Sequence, residues 1–434
     1  MVPRPIPPTT RSPSDTMRAP TRAPTRAVPP ADSAAVGVSD TAAAPMRGRP
    51  PKDSIKAPIA VAELPVASSA GRWHWNRDSL YAVGAFNVAE LLERIPGVTL
   101  LRSGFIASPQ VVLWNGGAER VRLFWDGIEL DAIDPRGGRA LDLGRIQLLS
   151  LESVTAERSP GELRVHLRTW TVRNTTPVTR VDVASGSENF TLYRGFFGRR
   201  FDNGGLLQLA GQQYSTLSRP GGDGDLLNAT TRIGWARRDW SVDFFAISGT
   251  HTRNATTADW ETTTPIQNAL PAWRGNVGLS YARIGWRSPE GERPWVQFVA
   301  SRQHVDKVYK APSSSGFGTT TSTASRDTTD SLSARTQYVL SGGASWFGVR
   351  GSATLRVREI EGERRFAPTV RLSRERTRYG VSGYAETSGS DSTDRAEVAG
   401  WIAPWPRLVV RGALARRSAT GQRALAWRIQ AAAR

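Results

Sequence analysis

Residues 87–98 read Asn87-Val88-Ala89-Glu90-Leu91-Leu92-Glu93-Arg94-Ile95-Pro96-Gly97-Val98. Apolar side chains fall at Val88, Leu91, Leu92 and Ile95, the i, i+3, i+4, i+7 spacing of one face of an α-helix. Asn87 stands where a helix cap would, with Glu90 three residues on as in a capping box. Pro96-Gly97 ends the helix, because proline cannot continue it and glycine suits the turn that follows. Val98–Leu101 then reads as a short strand.

Downstream, Val111–Leu113 and Val121–Trp125 are strand-like, and Asp126-Gly127 is a tight turn into Ile128-Glu129-Leu130. Ile146–Leu149 and Val154–Ala156 are brief apolar runs, and Leu163–Arg168 alternates strictly. Together these predict a mixed α and β domain over residues 73–175, large enough for one modest core. Upstream, residues 1–72 are rich in Pro, Ala, Thr and Arg, with no aromatic residue before Trp73. Such a segment buries too little apolar surface to offset the entropy of ordering it, so it is expected to be a disordered spacer. Its arginines are singly spaced, which argues against a nucleic-acid-binding arm. No secretory signal is expected here, since the best apolar candidate, Ile59–Ala67, is broken by Glu63 and Pro65.

From residue 176 to 434 the texture changes to alternating segments divided by turn clusters. Trp240-Ser241-Val242-Asp243-Phe244 alternates cleanly, as do Val277–Tyr281 and Tyr379–Tyr384 with small residues on the other face. Some connections are tight (Asp202–Gly205, Ser288–Gly291, Glu361-Gly362), whereas 218–228, 250–273 and 310–330 are long and polar. Short turns on one side and long loops on the other are the habit of an outer-membrane-type barrel. Trp235, Trp240, Trp273, Trp286, Trp295, Trp401 and Trp405 stand near expected strand ends, as interfacial girdles require. A soluble sandwich would need a wholly apolar inner face, and no blade repeat of ~40–50 residues supports a propeller. About fourteen strands are expected. The fold class is therefore an α+β domain followed by an antiparallel transmembrane β-barrel.

Composition supports the same reading. The 434 residues carry a formal charge of +18, and only four of 57 bases are lysine (Lys52, Lys56, Lys307, Lys310). No stretch reaches the ~20 apolar residues that a spanning helix needs. Cysteine is absent, which excludes disulfides and thiolate chemistry. His74, His166, His251 and His304 are scattered, with no metal-ligand spacing. Asp126, Asp131 and Asp134 read as turn and loop residues rather than catalytic carboxylates, and Asp223 with Asp225 falls short of the six to eight oxygens that calcium takes. No enzyme, cofactor or metal site is expected.

The run Asn87–Val98, with its helix and Pro96-Gly97-Val98 turn, resembles the opening of the plug domain in TonB-dependent outer-membrane receptors. Arg122-Leu123-Phe124-Trp125-Asp126-Gly127-Ile128-Glu129-Leu130 is similar to the plug's strand–Asp-Gly–strand hairpin. Ile146–Pro160, with Arg158-Ser159-Pro160, resembles its late helix-turn and strand, which closes in an Arg-Gly-Pro-like turn. The resemblance implies a plug at 73–175 inside a barrel at 176–434, uptake of a scarce ligand (an iron chelate, vitamin or glycan), outer-membrane lipid as surroundings, TonB as a periplasmic partner, and no nucleic acid. Pro96, Gly97, Val98, Asp126, Gly127, Arg158 and Pro160 are the structural plug motif, and the plug loops Gly104–Gln110, Asn115–Glu119 and Asp131–Arg139 are the expected ligand contacts.

This sequence departs from the family in several ways. The glycine-rich turn after Pro160 is compressed to Gly161-Glu162, and the C-terminal run Trp427–Arg434 lacks the family's final aromatic residue. No TonB box is found before the plug. Asn115-Gly116-Gly117 stands where the family has an Arg-Gly pair. Plugged transporters have about 22 strands, which would leave only about 12 residues per strand and connection here. A smaller barrel with a structural plug, an adhesin-like protein, or a truncated receptor are the alternatives.

Overall fold

The computed structural model describes residues 72–433, except 103–109, 134–139, 160, 187–189, 217–223, 254–271, 290–292, 311–328, 361, 388–392, 406, 420 and 421. The expectations for residues 1–71, including the spacer and the absent signal, lie outside the described residues.

The first part is an α+β unit. It runs β1 (Arg72–Asn76), α1 (Arg77–Ala82), α2 (Val88–Leu92), β2 (Val98–Arg102), β3 (Gln110–Trp114), β4 (Val121–Trp125), β5 (Ile128–Leu130), β6 (Leu151–Arg158) and β7 (Leu163–Thr169). Five strands form a sheet in the order β1-β6-β7-β4-β5, with β4 and β7 parallel, and β2 pairs with β3 alone. Asn87 caps α2 by accepting from the Glu90 amide at 3.0 Å. Glu90 reaches back to the Phe86 amide at 2.9 Å, one residue earlier than a regular capping box. Val88, Leu91, Leu92 and Ile95 are all buried, so the helical face read from the sequence is the core face. The brief run at Ile146–Leu149 leads into a turn before β6: the Leu151 amide donates to the Leu148 carbonyl at 3.1 Å. Helix α1, capped by Asn76 through Ser79, has no apolar stripe and was not legible beforehand.

The second part is one antiparallel sheet of fourteen strands in simple sequence order. They are β8 (Val178–Ser185), β9 (Thr191–Arg200), β10 (Gly205–Thr216), β11 (Gly224–Arg237), β12 (Trp240–Arg253), β13 (Ala272–Trp286) and β14 (Trp295–Lys310). Then follow β15 (Thr329–Trp346), β16 (Val349–Ile360), β17 (Glu363–Glu375), β18 (Tyr379–Thr387), β19 (Thr393–Trp405), β20 (Leu408–Ala419) and β21 (Gln422–Ala433). The sheet is not closed: β8 and β21 are its two edges, and no described residue pairs one with the other.

Its two ends differ. At one, the turn end, β11–β12 and β15–β16 are joined by two residues each, Arg238-Asp239 and Phe347-Gly348. Phe347 (φ 48) and Gly348 (φ 75) are both left-handed, as a tight hairpin of matching twist requires. The connections 254–271 and 311–328 lie at the other, the loop end. Glu361-Gly362 is as short as expected but lies at the loop end.

The faces of the sheet are inverted relative to a soluble protein. On β15, Gln337 is fully buried, whereas its neighbours Tyr338 and Leu340 are 42% and 50% exposed. Arg232, Asp243, Arg283, Gln297, Arg356 and Glu386 point inward and are buried, and Val181, Ile233, Phe298, Val370 and Val398 point outward. In water the hydrophobic effect would turn such strands over, since a one-residue register slip exchanges the faces. Trp295 differs from its expected place in a girdle. It is buried and faces inward, because it pairs with Gly343, whose missing side chain leaves room for the indole. Trp401 packs across Gly380 in the same way, and the Trp273 side chain lies outside what is described. No helix among the described residues is long and apolar enough to cross a membrane, which says nothing of crossing by strands.

Candidate functional site

The α+β unit sits against the polar face of the sheet, and its core is continuous with the wall. Phe245, Tyr281, Leu279, Val299 and Val339 join Leu123, Trp125 and Val165 in one buried cluster.

The β4–β5 hairpin carries the first fastening. Asp126 (φ 48) and Gly127 (φ 84) form its two-residue turn. The Asp126 carboxylate faces inward and accepts from the Thr169 amide (2.9 Å), the Thr169 hydroxyl (2.5 Å) and the Tyr281 hydroxyl (2.7 Å). Arg283 donates to the Asp126 carbonyl at 2.9 Å. Burial alone would raise the Asp126 pKa, but Arg283, Arg232 and the Thr169 hydrogen bonds outweigh it and hold the carboxyl below its ordinary value. The hairpin tip is thus gripped by β13 near its turn-end half, a positioning role with no reacting partner.

The second fastening is ionic. Arg122 on β4 donates to Glu129 on β5 (2.7 and 3.0 Å) and to Glu386 on β18 (2.8 Å twice), with Glu162 at 3.4 Å. Arg164 on β7 donates to Glu162 (2.7 Å) and to Glu397 on β19 (3.0 Å). Arg395 on β19 donates to the other oxygen of Glu162 at 2.9 Å. Arg358 pairs with Glu129, and Arg335 with Asp131. All are buried but Asp131, which is about a quarter exposed. Burial would raise the carboxyls of Glu129, Asp131 and Glu162. The facing arginines outweigh it, so all three stay ionised and Glu162 is held far below its ordinary range.

Two cavities open between the unit and the loop-end half of the sheet. The larger, about 290 Å³, is walled by Leu123, Leu130, Ile133, Leu141 and Ile146 on one side and by Leu226, Ile247, Leu279 and Val305 on the other. Its amides are committed to holding the unit: Asn228 donates to the Arg145 carbonyl at 3.2 Å, and Gln303 to the Asp131 carbonyl at 3.0 Å. The smaller, about 270 Å³, is lined by Asn115, Arg120, Glu162, Arg164, Arg395 and Arg417 among others.

The residues singled out in the sequence fall as follows. Pro96-Gly97 turns between α2 and β2, with Gly97 at φ 91 and a Cβ there coming within 3.3 Å of the Trp114 ring. Val98 opens β2 opposite Trp114. Arg158 ends β6 with its guanidinium 5.2 Å from the Trp114 ring. Pro160 lies outside the described residues. Of the three loops expected to meet ligand, Asp131–Ile133 lines the larger cavity and Asn115 the smaller, whereas 104–109 and 134–139 are not described. Asp225 is exposed on β11, and Asp223 and Asp134 are not described. No group of three or more potential metal ligands occurs among the described residues. The sheet-side partners Tyr281, Arg283, Arg335, Glu386, Arg395 and Glu397 were missed. Their signal was charge at alternate positions of otherwise amphipathic strands, as in Arg395-x-Glu397.

No protein-family model matches this chain, and no curated protein resembles it in sequence. Solved structures do resemble it. The ferric yersiniabactin uptake receptor FyuA from Yersinia pestis aligns over 84% of this chain and 61% of its own, at 13% identity and a TM-score of 0.51. The copper transporter OprC aligns over 83% of this chain and 64% of its own, at 12% identity and a TM-score of 0.57. The FrpB iron transporter from Neisseria meningitidis aligns over 84% of this chain and 78% of its own, at 10% identity and a TM-score of 0.55.

The fold is that of the TonB-dependent outer-membrane receptors. In its terms the α+β unit is the plug and the fourteen-stranded sheet the barrel wall. The chain spans less than two thirds of the length of the first two receptors. The named neighbours are receptors and transporters, not enzymes.

Proposed function

We propose that this chain is an outer-membrane receptor of the TonB-dependent type, in which the plug gates passage of a scarce ligand along the barrel wall. The observation that carries this reading is the inverted sheet: apolar residues outward, buried charge inward, and the charge met by a plug. Only lipid suits such an outer face, and strands are the one alternative to helices for crossing it. The neighbours named for iron, ferric yersiniabactin and copper make a metal or its chelate the first class of ligand to test, with vitamins and glycans after it. The ligand's reception point is the loop-end cavity beside Asp131–Ile133. Because that plug segment is tied to the wall through Arg335 and Gln303, a ligand settling there acts directly on the plug's fastening.

Energised uptake needs TonB on the plug side. The test is accumulation of radiolabelled iron chelates, cobalamin and oligosaccharides by cells expressing the chain, before and after the proton-motive force is collapsed. Accumulation that stops on collapse supports the reading. Accumulation that continues, or surface binding without accumulation, favours a barrel whose plug is only a stopper.

A further inference from the structure

The connections at the two ends of the wall differ in sequence composition. The seven loop-end connections (186–190, 217–223, 254–271, 311–328, 361–362, 388–392 and 420–421) contain seven acids and two arginines. The six turn-end connections (201–204, 238–239, 287–294, 347–348, 376–378 and 406–407) contain six arginines and four acids, and Arg199, Arg237, Arg350 and Arg374, with one acid, Glu375, stand on the strand ends beside them. Arg237, Arg238, Arg376, Arg378 and Arg407 are all exposed, and among the described residues no carboxylate pairs with any of them. They are spread over three turns, between β11 and β20, rather than gathered in one patch.

Beside these turns lies an aromatic belt. Trp235, Trp240, Trp346, Phe347, Tyr379 and Trp405 are exposed near the turn-end termini of their strands. Indole and phenol rings exposed on a barrel wall mark the depth where hydrocarbon gives way to headgroups. Guanidinium groups one to three residues beyond them fall at phosphate depth, and arginine binds phosphate oxygens through a planar fork of donors.

We propose that the turn end is a docking surface for anionic phospholipid headgroups of the phosphatidylglycerol kind, held by Arg237, Arg238, Arg376, Arg378 and Arg407 beside the aromatic belt. Arginines at three separate turns suit a leaflet, which runs along the wall, better than a protein partner, which would bury one patch. This inference rests on the membrane-spanning reading of the wall.

The test reconstitutes the full chain in phosphatidylcholine bilayers and compares spin-labelled phosphatidylglycerol with spin-labelled phosphatidylcholine by the fraction whose motion is restricted at the protein. The expected preference for phosphatidylglycerol is on the order of two- to fivefold at low salt, falling towards one in 1 M salt. It should also fall towards one when the five arginines are replaced by glutamine, and persist in an Arg219→Gln/Arg326→Gln control at the loop end. Equal association in the unaltered chain, or a preference that survives the five substitutions, overturns the proposal. So does equal lipid association combined with binding to isolated peptidoglycan that the five substitutions abolish. Absence of any restricted lipid overturns instead the membrane-spanning reading beneath it.

Discussion

Arg122 on plug strand β4 donates two hydrogen bonds of 2.8 Å to Glu386 on wall strand β18, joining residues 264 apart in sequence. Glu129 and Glu162 share the same guanidinium, and Arg358, Arg164 and Arg395 close the network around them. Removing one member strands buried charge, which is the costly way to break such a pair. Arg122→Met is therefore expected to weaken plug docking by about 3–5 kcal/mol, and Glu386→Gln by less. The double variant should cost less than the sum, because each change relieves the charge that the other exposes. Urea titration followed by protease protection of the plug reads all three.

Tyr281→Phe removes the wall's hydroxyl from the Asp126 carboxylate and nothing else from the turn. A loss of about 1.5–3 kcal/mol is expected, as for a hydrogen bond to a charged group. The Asp126–Thr169 contacts stay, so the hairpin should remain formed while plug release becomes easier.

Acid should release the plug in two stages. His166 is buried and stacked on Phe124 at 4.9 Å, and burial, aided by Arg371 and Arg164 against the pull of Glu157, holds its pKa below the ordinary value. A lowered imidazole is neutral in the fold, so its contribution is complete above the unfolded value of about 6.5 and is lost as pH falls from there. The depressed carboxyls of Asp126, Glu129, Asp131 and Glu162 contribute above about pH 4 and lose their contribution below it. Stability plotted against pH should thus fall first below about 6.5 and again below about 4. His166→Gln should shrink the first stage and leave the second, the remainder of the first coming from His74, whose pKa burial, Arg72 and Arg168 also lower.

Leu340→Arg places a charge on the outward face near the middle of β15. A penalty of about 2–4 kcal/mol is expected at hydrocarbon depth, read as loss of heat-resistant, membrane-extracted protein. The same substitution at an exposed site of a water-soluble sheet would be nearly neutral.

What could be read from the sequence was local. The helix ending at Pro96-Gly97, the Asp126-Gly127 turn and the alternation of strands such as Trp240–Phe244 are set by neighbours a few residues apart, so their patterns are visible in one dimension. The partners of those elements were not. Nothing near Asp126 announces Tyr281, and nothing near Arg122 announces Glu386, because both contacts are made by docking two separate units. Trp295 misled for a related reason: its direction depends on Gly343 across the ladder, not on its own neighbours. Of the plug loops singled out in the sequence, Asp131–Ile133 lines the larger cavity, where the chain leaves β5.

The central claim, a sheet with lipid outside and a plug inside, is tested most directly on β15. The chain has no cysteine, so single cysteines at Gln337, Tyr338, Val339, Leu340 and Ser341 can each carry a nitroxide in a reconstituted bilayer. The account predicts that labels at 338 and 340 collide freely with oxygen and hardly with a water-soluble nickel chelate, while labels at 337, 339 and 341 are shielded from both. Ready access of the nickel chelate to 338 and 340 would contradict it.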